Sequence, residues 1–242
     1  MLRHATWVIV VAAAFVALLV PAPANASTWT WGTFDGPAAG VGERVIRVNV
    51  RVEEGLELDA DTIAATVSEI LGDERGWIAS EGVTFHVVAD DNPDLLVSVA
   101  SPATTDAACL PLNTVGRLSC RSGDQLNLNV DRWLQGPDVY HASYDDNLDE
   151  YRRYLINHEV GHFLGKGHVQ PTNCSSDLRA PVMMQQTFGL NGCAINGWPS
   201  LDNTTAPPPA LAAHAGFIAA AVRAELRLSP GPWRLTGNPL RR

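Results

Sequence analysis

Three histidines and one glutamate fall within the stretch NHEVGHFLGKGHV, residues 157 to 169. His158 and His162 stand four residues apart, so a helix stacks them on one face. Two imidazoles at that spacing take adjacent corners of a tetrahedral zinc site. Glu159 is rotated by one residue from His158 and flanks the metal instead of being forced to bind it. A general base for metal-bound water must stand there. Gly165 falls where helices commonly end in a left-handed residue. With Gly167 it lets the chain turn back, so that His168 reaches the same metal as third ligand and a fourth position stays open. The H-E-x-x-H core arises by accident in on the order of one chain in a hundred of this length. Requiring Gly165 and His168 as well lowers that by roughly two to three orders of magnitude. Three histidines satisfied by hydrogen bonds alone would leave their clustering in an apolar helix unexplained.

These groups need a scaffold, and the pattern predicts one. A helix is expected from about Asp149 to Leu164, with Tyr151, Tyr154, Leu155, Ile156, Val160, Phe163 and Leu164 supplying apolar surface. Upstream, Ile46, Val48, Val50 and Val52 alternate with Arg47, Asn49 and Arg51, the period-2 pattern of a half-buried strand. Asp59 can cap a helix running to about Leu71. VTFHVVAD, DLLVSVAS and QLNLNV read as further strands, and His86 points away from the Val83, Phe85 and Val87 face of the first. Residues 101 to 124 read as a long loop or irregular hairpin, and residues 131 to 146 as a loop holding His141 and Tyr144. The order predicts an α+β domain: a mainly non-crossover sheet, two helices and a loop-rich second half.

The ends of the chain differ from this domain. Met1-Leu2-Arg3-His4 precedes an apolar run from Ala5 to Val20 and the small-x-small triplet Ala24-Asn25-Ala26, the layout of a signal peptide over residues 1–26. The alternative is an uncleaved anchor, although the run is short for a membrane span. Residues 27–42 read as a flexible arm, 43–199 as the domain, and 200–242 as a Pro-rich spacer and Ala-rich helix or tail containing His214. After cleavage the chain carries 16 basic and 26 acidic residues, a formal charge of −10. No basic stripe offsets this surplus, which excludes a nucleic-acid partner. The four cysteines all follow the signal peptide, an even count that favours disulfides in an exported chain. Sequence proximity selects Cys109–Cys120 and Cys174–Cys193. A four-cysteine zinc site would want C-x-x-C knuckles, and the chain has none.

His158-Glu159-Val160-Gly161-His162-Phe163-Leu164-Gly165-Lys166-Gly167-His168 resembles the H-E-x-x-H-x-x-G-x-x-H signature of the metzincin zinc peptidases. That resemblance implies a zincin-like α+β fold, a twisted mixed sheet with a backing helix and an active-site helix. It also implies a methionine turn beneath the metal, for which Met183 of APVMMQQT is the better candidate and Met184 the alternate. With TTDAACLPLNTVGRLSCRSGDQLNLN and a closing WP, the motifs resemble a family of secreted bacterial proteins labelled as a domain of unknown function. The match runs over roughly residues 43 to 199. Two positions depart from better-known metzincins. Gln185 stands where some groups carry a transition-state tyrosine, and QLNLNV is only a candidate for the substrate-aligning edge strand.

The expectation is therefore a secreted or cell-envelope Zn2+-dependent endopeptidase. It acts as a monomer on peptide or protein substrate, is not inserted in the membrane after signal cleavage, and uses Glu159 as general base on metal-activated water. The alternatives are a non-catalytic zinc-stabilised binding module, or a zinc hydrolase of a non-peptide envelope amide. Tyr144, Tyr151 and Tyr154 are candidates for oxyanion support. Asn157 and Gln185 are polar neighbours suited to orienting the histidines. No cysteine before Arg44 can cap the zinc as a latency switch.

Overall fold

The alternation in RVIRVNVRVE builds the central strand of the domain. A computed structural model describes residues 27–138, 140, 148–170 and 174–205. The expected signal peptide, His141, Tyr144 and His214 lie outside the described residues. In chain order the strands are β1 (Trp29–Trp31), β2 (Ala39–Gly40), β3 (Arg44–Glu53), β4 (Val83–Val87), β5 (Leu95–Ala100), β6 (Cys120–Ser122) and β7 (Gln125–Asn129). The helices are α1 (Ala60–Gly72), α2 (Trp77–Glu81), α3 (Pro102–Ala108), α4 (Val130–Gln135) and α5 (Leu148–Phe163), followed by a 3-10 turn at Pro199–Leu201.

All seven strands form one mixed sheet in the order β2-β4-β3-β5-β7-β6, with β1 also pairing to β3. Its centre is parallel: β3 pairs with β4 and β5, and β5 with β7. The edge pairings β1, β2 and β6 are antiparallel. Register stacks Val50, Val97 and Leu126 across the sheet, and all three are fully buried on the face covered by α1 and α5. The non-crossover sheet expected from sequence is thus corrected. Parallel neighbours cannot be joined by hairpins, so α1 and α2 carry the chain from β3 to β4, and α3 lies between β5 and β7. Between β4 and β5 a short step suffices, because Val48 pairs with the end of one and the start of the other. Asn49 anchors that step by donating from Nδ2 to the Asp90 carbonyl at 2.7 Å.

Helix α1 begins as its sequence predicts, with Asp59 accepting from the Thr62 N–H at 2.7 Å. Three other expectations are corrected. Residues 27–42 are not a loose arm throughout: β1 and β2 hydrogen-bond to β3 and β4. The stretch 101–124 contains α3, capped by Ser101 and led by Pro102 at a position where its missing N–H costs nothing. The stretch 131–146 opens with α4, capped by Asn129 onto the Asp131 N–H. Both disulfides pair as expected. Cys109–Cys120 ties the end of α3 to β6, and Cys174–Cys193 staples the second half. Beyond Phe163 the described residues are loop-rich, and they pack on the domain as far as Thr205, past the expected boundary at 199. No helix among the described residues is long and apolar enough to cross a membrane.

Candidate metal centre

Helix α5 carries Asp149 and Glu150 in its first turn, where negative charge suits the helix dipole. It buries Tyr151, Tyr154, Leu155, Ile156 and Val160 against the sheet and the second half. Its end is a Schellman turn: the Gly165 N–H reaches the His162 carbonyl at 3.1 Å and the Lys166 N–H reaches Gly161 at 2.8 Å. Gly165 sits at φ +86°, and a Cβ there would meet nothing, so backbone conformation selects the glycine. The reversal brings His168 back over the helix, as its sequence position predicts.

The three histidines converge. His168 Nε2 lies 3.3 Å from His158 Nε2 and 3.1 Å from His162 Nε2. The remote nitrogens are held by backbone: His158 Nδ1 donates to the Val182 carbonyl at 2.7 Å, and His162 Nδ1 to the Lys166 carbonyl at 2.8 Å. A carbonyl only accepts, so both Nδ1 atoms carry the proton and both Nε2 atoms present bare lone pairs. Burial pushes His158 down to about 3 and also lowers His168. Lone pairs crowded this closely repel, and a proton on His168 answers only one of them at a time. A divalent cation answers all three. Nitrogens at tetrahedral zinc stand about 3.3 Å apart, so the donor set fits the ion. His158, His162 and His168 form a group that can hold a metal.

Glu159 lies beside this cluster, 5 % exposed. Burial raises its carboxyl to about 8, against the opposing hydrogen bond from the Arg121 N–H of β6. Its Oε2 has no hydrogen-bond partner among the described residues.

Beneath the histidines runs a turn through Val182, Met183 and Met184. Met183 packs against Gly161, where a Cβ would fall 2.3 Å from the Met183 Sδ and 3.0 Å from Trp77 Cζ2. The same turn touches the segments of all three histidines. Val182 O holds His158, Met183 O accepts the N–H of Val169 next to His168 at 3.1 Å, and the Met183 side chain lies under the residue before His162. Met184 O accepts from the Tyr154 hydroxyl at 3.1 Å.

Several expected roles shift. Asn157 donates to the Gly197 carbonyl, and Gln185 makes no side-chain hydrogen bond among the described residues, so backbone carbonyls and not these two orient the histidines. Tyr151 and Tyr154 are buried and bonded to Thr187 and to the Met184 and Gln186 backbone. Neither is free to support an oxyanion. The sheet edge that borders the cleft is β6, since QLNLNV begins in β7 and that strand is paired on both sides. His86 faces Asp35 at 3.2 Å, away from the cluster. A cleft of about 680 Å³ opens over the histidines, walled by β6, Leu112, Leu118, Gln185 and Phe188.

Sequence reasoning overlooked the polar residues behind the turn, Gln186 and Asn196 buried and Asp202 half-buried. Gln186 is fully buried; it donates to the Pro181 and Asn196 carbonyls and accepts from the Tyr140 hydroxyl at 2.7 Å. Asn196 donates to the Ala180 and Trp198 carbonyls, and Asp202 accepts the Val182 N–H at 2.8 Å. No local spacing marks them, because they bond to main-chain groups in irregular loops, where no helix or strand period places a side chain.

No curated protein matches this chain, and no solved structure does. A family model described as protein of unknown function (DUF3152) matches residues 21–206, most of the chain and all of the described domain. The histidine cluster, the turn beneath it and both disulfides thus lie within the matched region, and the chain belongs to that family.

Proposed function

We propose that this chain is an extracellular zinc-dependent endopeptidase. One observation carries the reading: three imidazole nitrogens converge beside a buried glutamate with an oxygen unpartnered among the described residues, at the floor of an open cleft. His158, His162 and His168 would hold the ion. A zinc ion bound there supplies Lewis acidity toward a carbonyl oxygen and toward water. Glu159 moves the proton: its free Oε2 accepts it from the water that adds to the scissile carbonyl, then passes it to the departing amine nitrogen. Burial raises the carboxyl above the ordinary glutamate range, and a cation held by the adjacent histidines would favour the carboxylate that accepts the proton.

The substrate side of the cleft favours a peptide. Strand β6 is a sheet edge, and an extended peptide can add to such an edge by backbone hydrogen bonds. The rim offers Leu112 and Phe188, 54 % and 67 % exposed, as surface for a bulky apolar side chain. Two disulfides and the absence of a membrane-crossing helix among the described residues are consistent with work outside the cell.

The test uses the chain from Ser27 onward. Bound metal is measured, and wild type and Glu159→Gln are compared on a peptide library. The proposal expects equal zinc in both and cleavage by wild type, with Glu159→Gln slower by about 10²- to 10⁴-fold. Equal zinc with no cleavage by either would favour a zinc-stabilised binding module and sink the peptidase reading.

A further inference from the structure

We propose that Asp202 is a positioning residue for the metal centre, acting through the backbone of Val182 on the ring of His158. Asp202 lies outside the histidine motif and does not line the cleft. Its Oδ1 accepts the Val182 N–H at 2.8 Å, and the carbonyl of the same residue accepts the His158 Nδ1–H at 2.7 Å. Val182 belongs to no helix or strand, so no regular ladder fixes its N–H. It is fully buried, and without Asp202 that N–H would have no acceptor among the described residues. Asn196 donates to the same Oδ1 at 3.0 Å and to the Ala180 carbonyl at 2.9 Å, tying the carboxylate to both sides of Pro181.

Asp202 is itself placed by the 3-10 turn, whose Pro199 carbonyl takes its N–H at 3.2 Å. That turn follows Trp198, which Arg75 covers at 4.3 Å and Arg153 at 5.8 Å. The direction of the His158 lone pair therefore depends on an acceptor 44 positions downstream. Groups that orient a metal-binding imidazole at one remove commonly change affinity by about 10- to 100-fold. Asp202 acts one peptide further out, which puts its effect near the lower end, about tenfold.

The inference rests on the three histidines binding metal, and not on peptidase activity. Cobalt(II) binding is titrated in the whole chain by its visible d–d bands, for wild type, Asp202→Asn and Asp202→Ala. Val67→Ala, a core change in α1 away from the site, serves as a control for stability loss alone. The expected result is about tenfold weaker binding and altered bands for Asp202→Ala. Asp202→Asn, which keeps an acceptor oxygen, should match wild type, and Val67→Ala should keep the wild-type affinity and bands. Should Asp202→Ala fail to fold, Asp202→Glu displaces the acceptor by one methylene and carries the same expectation. Wild-type affinity and bands in the variant that removes or displaces the acceptor would overturn the inference, as would equal losses in Asp202→Asn and Val67→Ala. Failure of wild type to bind cobalt at all would instead remove the metal reading beneath it.

Discussion

Gly161 is the residue whose replacement tests most directly how the helix sits on the methionine turn. Alanine at an ordinary helix-interior position gains about 0.5–1 kcal/mol over glycine. At Gly161 the added methyl would lie 2.3 Å from Met183 Sδ, 3.2 Å from Met183 Cε and 3.0 Å from Trp77 Cζ2. Met183 is only 5 % exposed and Trp77 6 %, so the methionine end must shift against buried neighbours and not into solvent. Overpacking of this kind costs about 1–3 kcal/mol, and a contact this short belongs at the upper end. Subtracting the helix gain leaves a net loss of about 2 kcal/mol for Gly161→Ala. For a domain of this size that lowers Tm by about 4–8 °C. Because Met183 and Val182 share the turn that holds His158, metal affinity should fall with stability.

The cause is isolated by a double-mutant cycle with Met183→Ala, followed by chemical and thermal unfolding of the metal-free protein. Met183→Ala alone leaves a cavity and costs about 2–5 kcal/mol. Combined with Gly161→Ala, the new methyl occupies part of that cavity, so the double variant should be more stable than the sum by about 1–3 kcal/mol. An additive cycle would refute the packing argument, since it would mean that the two side chains do not compete for one space. A Gly161→Ala protein more stable than wild type would refute it as well.

Three further outcomes follow from the geometry. His168→Ala should abolish stoichiometric zinc in metal analysis while the apo fold, read by far-UV circular dichroism, stays intact, because His168 is exposed and its loop is held by the Val169 and Lys166 N–H groups. Asp202 carries a carboxyl that burial raises from 3.8 to about 7. A raised acid contributes stability that is fully present below its unfolded pKa and is lost as pH rises through the folded one. Wild type should therefore lose up to about 4 kcal/mol relative to Asp202→Asn between pH 4 and 8, read as the difference of their urea midpoints; a pH-independent difference would contradict the burial argument. Replacing both Cys109 and Cys120 by serine removes a short closed loop worth about 3 kcal/mol, and limited proteolysis should then cut first between Leu110 and Ser119.

What could be read from the residues was what is local. Two histidines four apart, a glutamate beside one of them and a glycine at the helix end state their geometry within about two turns, since helical spacing is the same wherever the helix lies. The strands β3, β4, β5 and β7 announced themselves by alternation or apolar runs. Strands β1 and β2 did not, because they pair through backbone groups and are too short to show a period. Helices α3 and α4 fall under the same limit at seven and six residues. The parallel order of the sheet was hidden for another reason: an alternating strand looks the same whichever direction its neighbour runs.

The orienting groups of the metal site were the least legible, and the physics explains why. Both Nδ1 partners are main-chain carbonyls, and every residue has one, so no side-chain type marks Val182 or Lys166. What is specific is the conformation of the turn that points Val182 inward, and loops lack the ladders that would fix it. Buried or half-buried side chains replace those ladders here: Gln186 on Pro181, Asn196 on Ala180, the half-buried Asp202 on Val182 and Tyr154 on Met184. Each must be fully hydrogen-bonded to be tolerated inside, so each accepts few alternative positions. A loop held in this way can be as well defined as a strand. The helix thus sets the spacing of two ligands, and the polar cluster behind the turn sets the direction in which His158 points. Metal affinity should therefore respond to changes such as Asp202→Ala that touch neither the metal nor the motif.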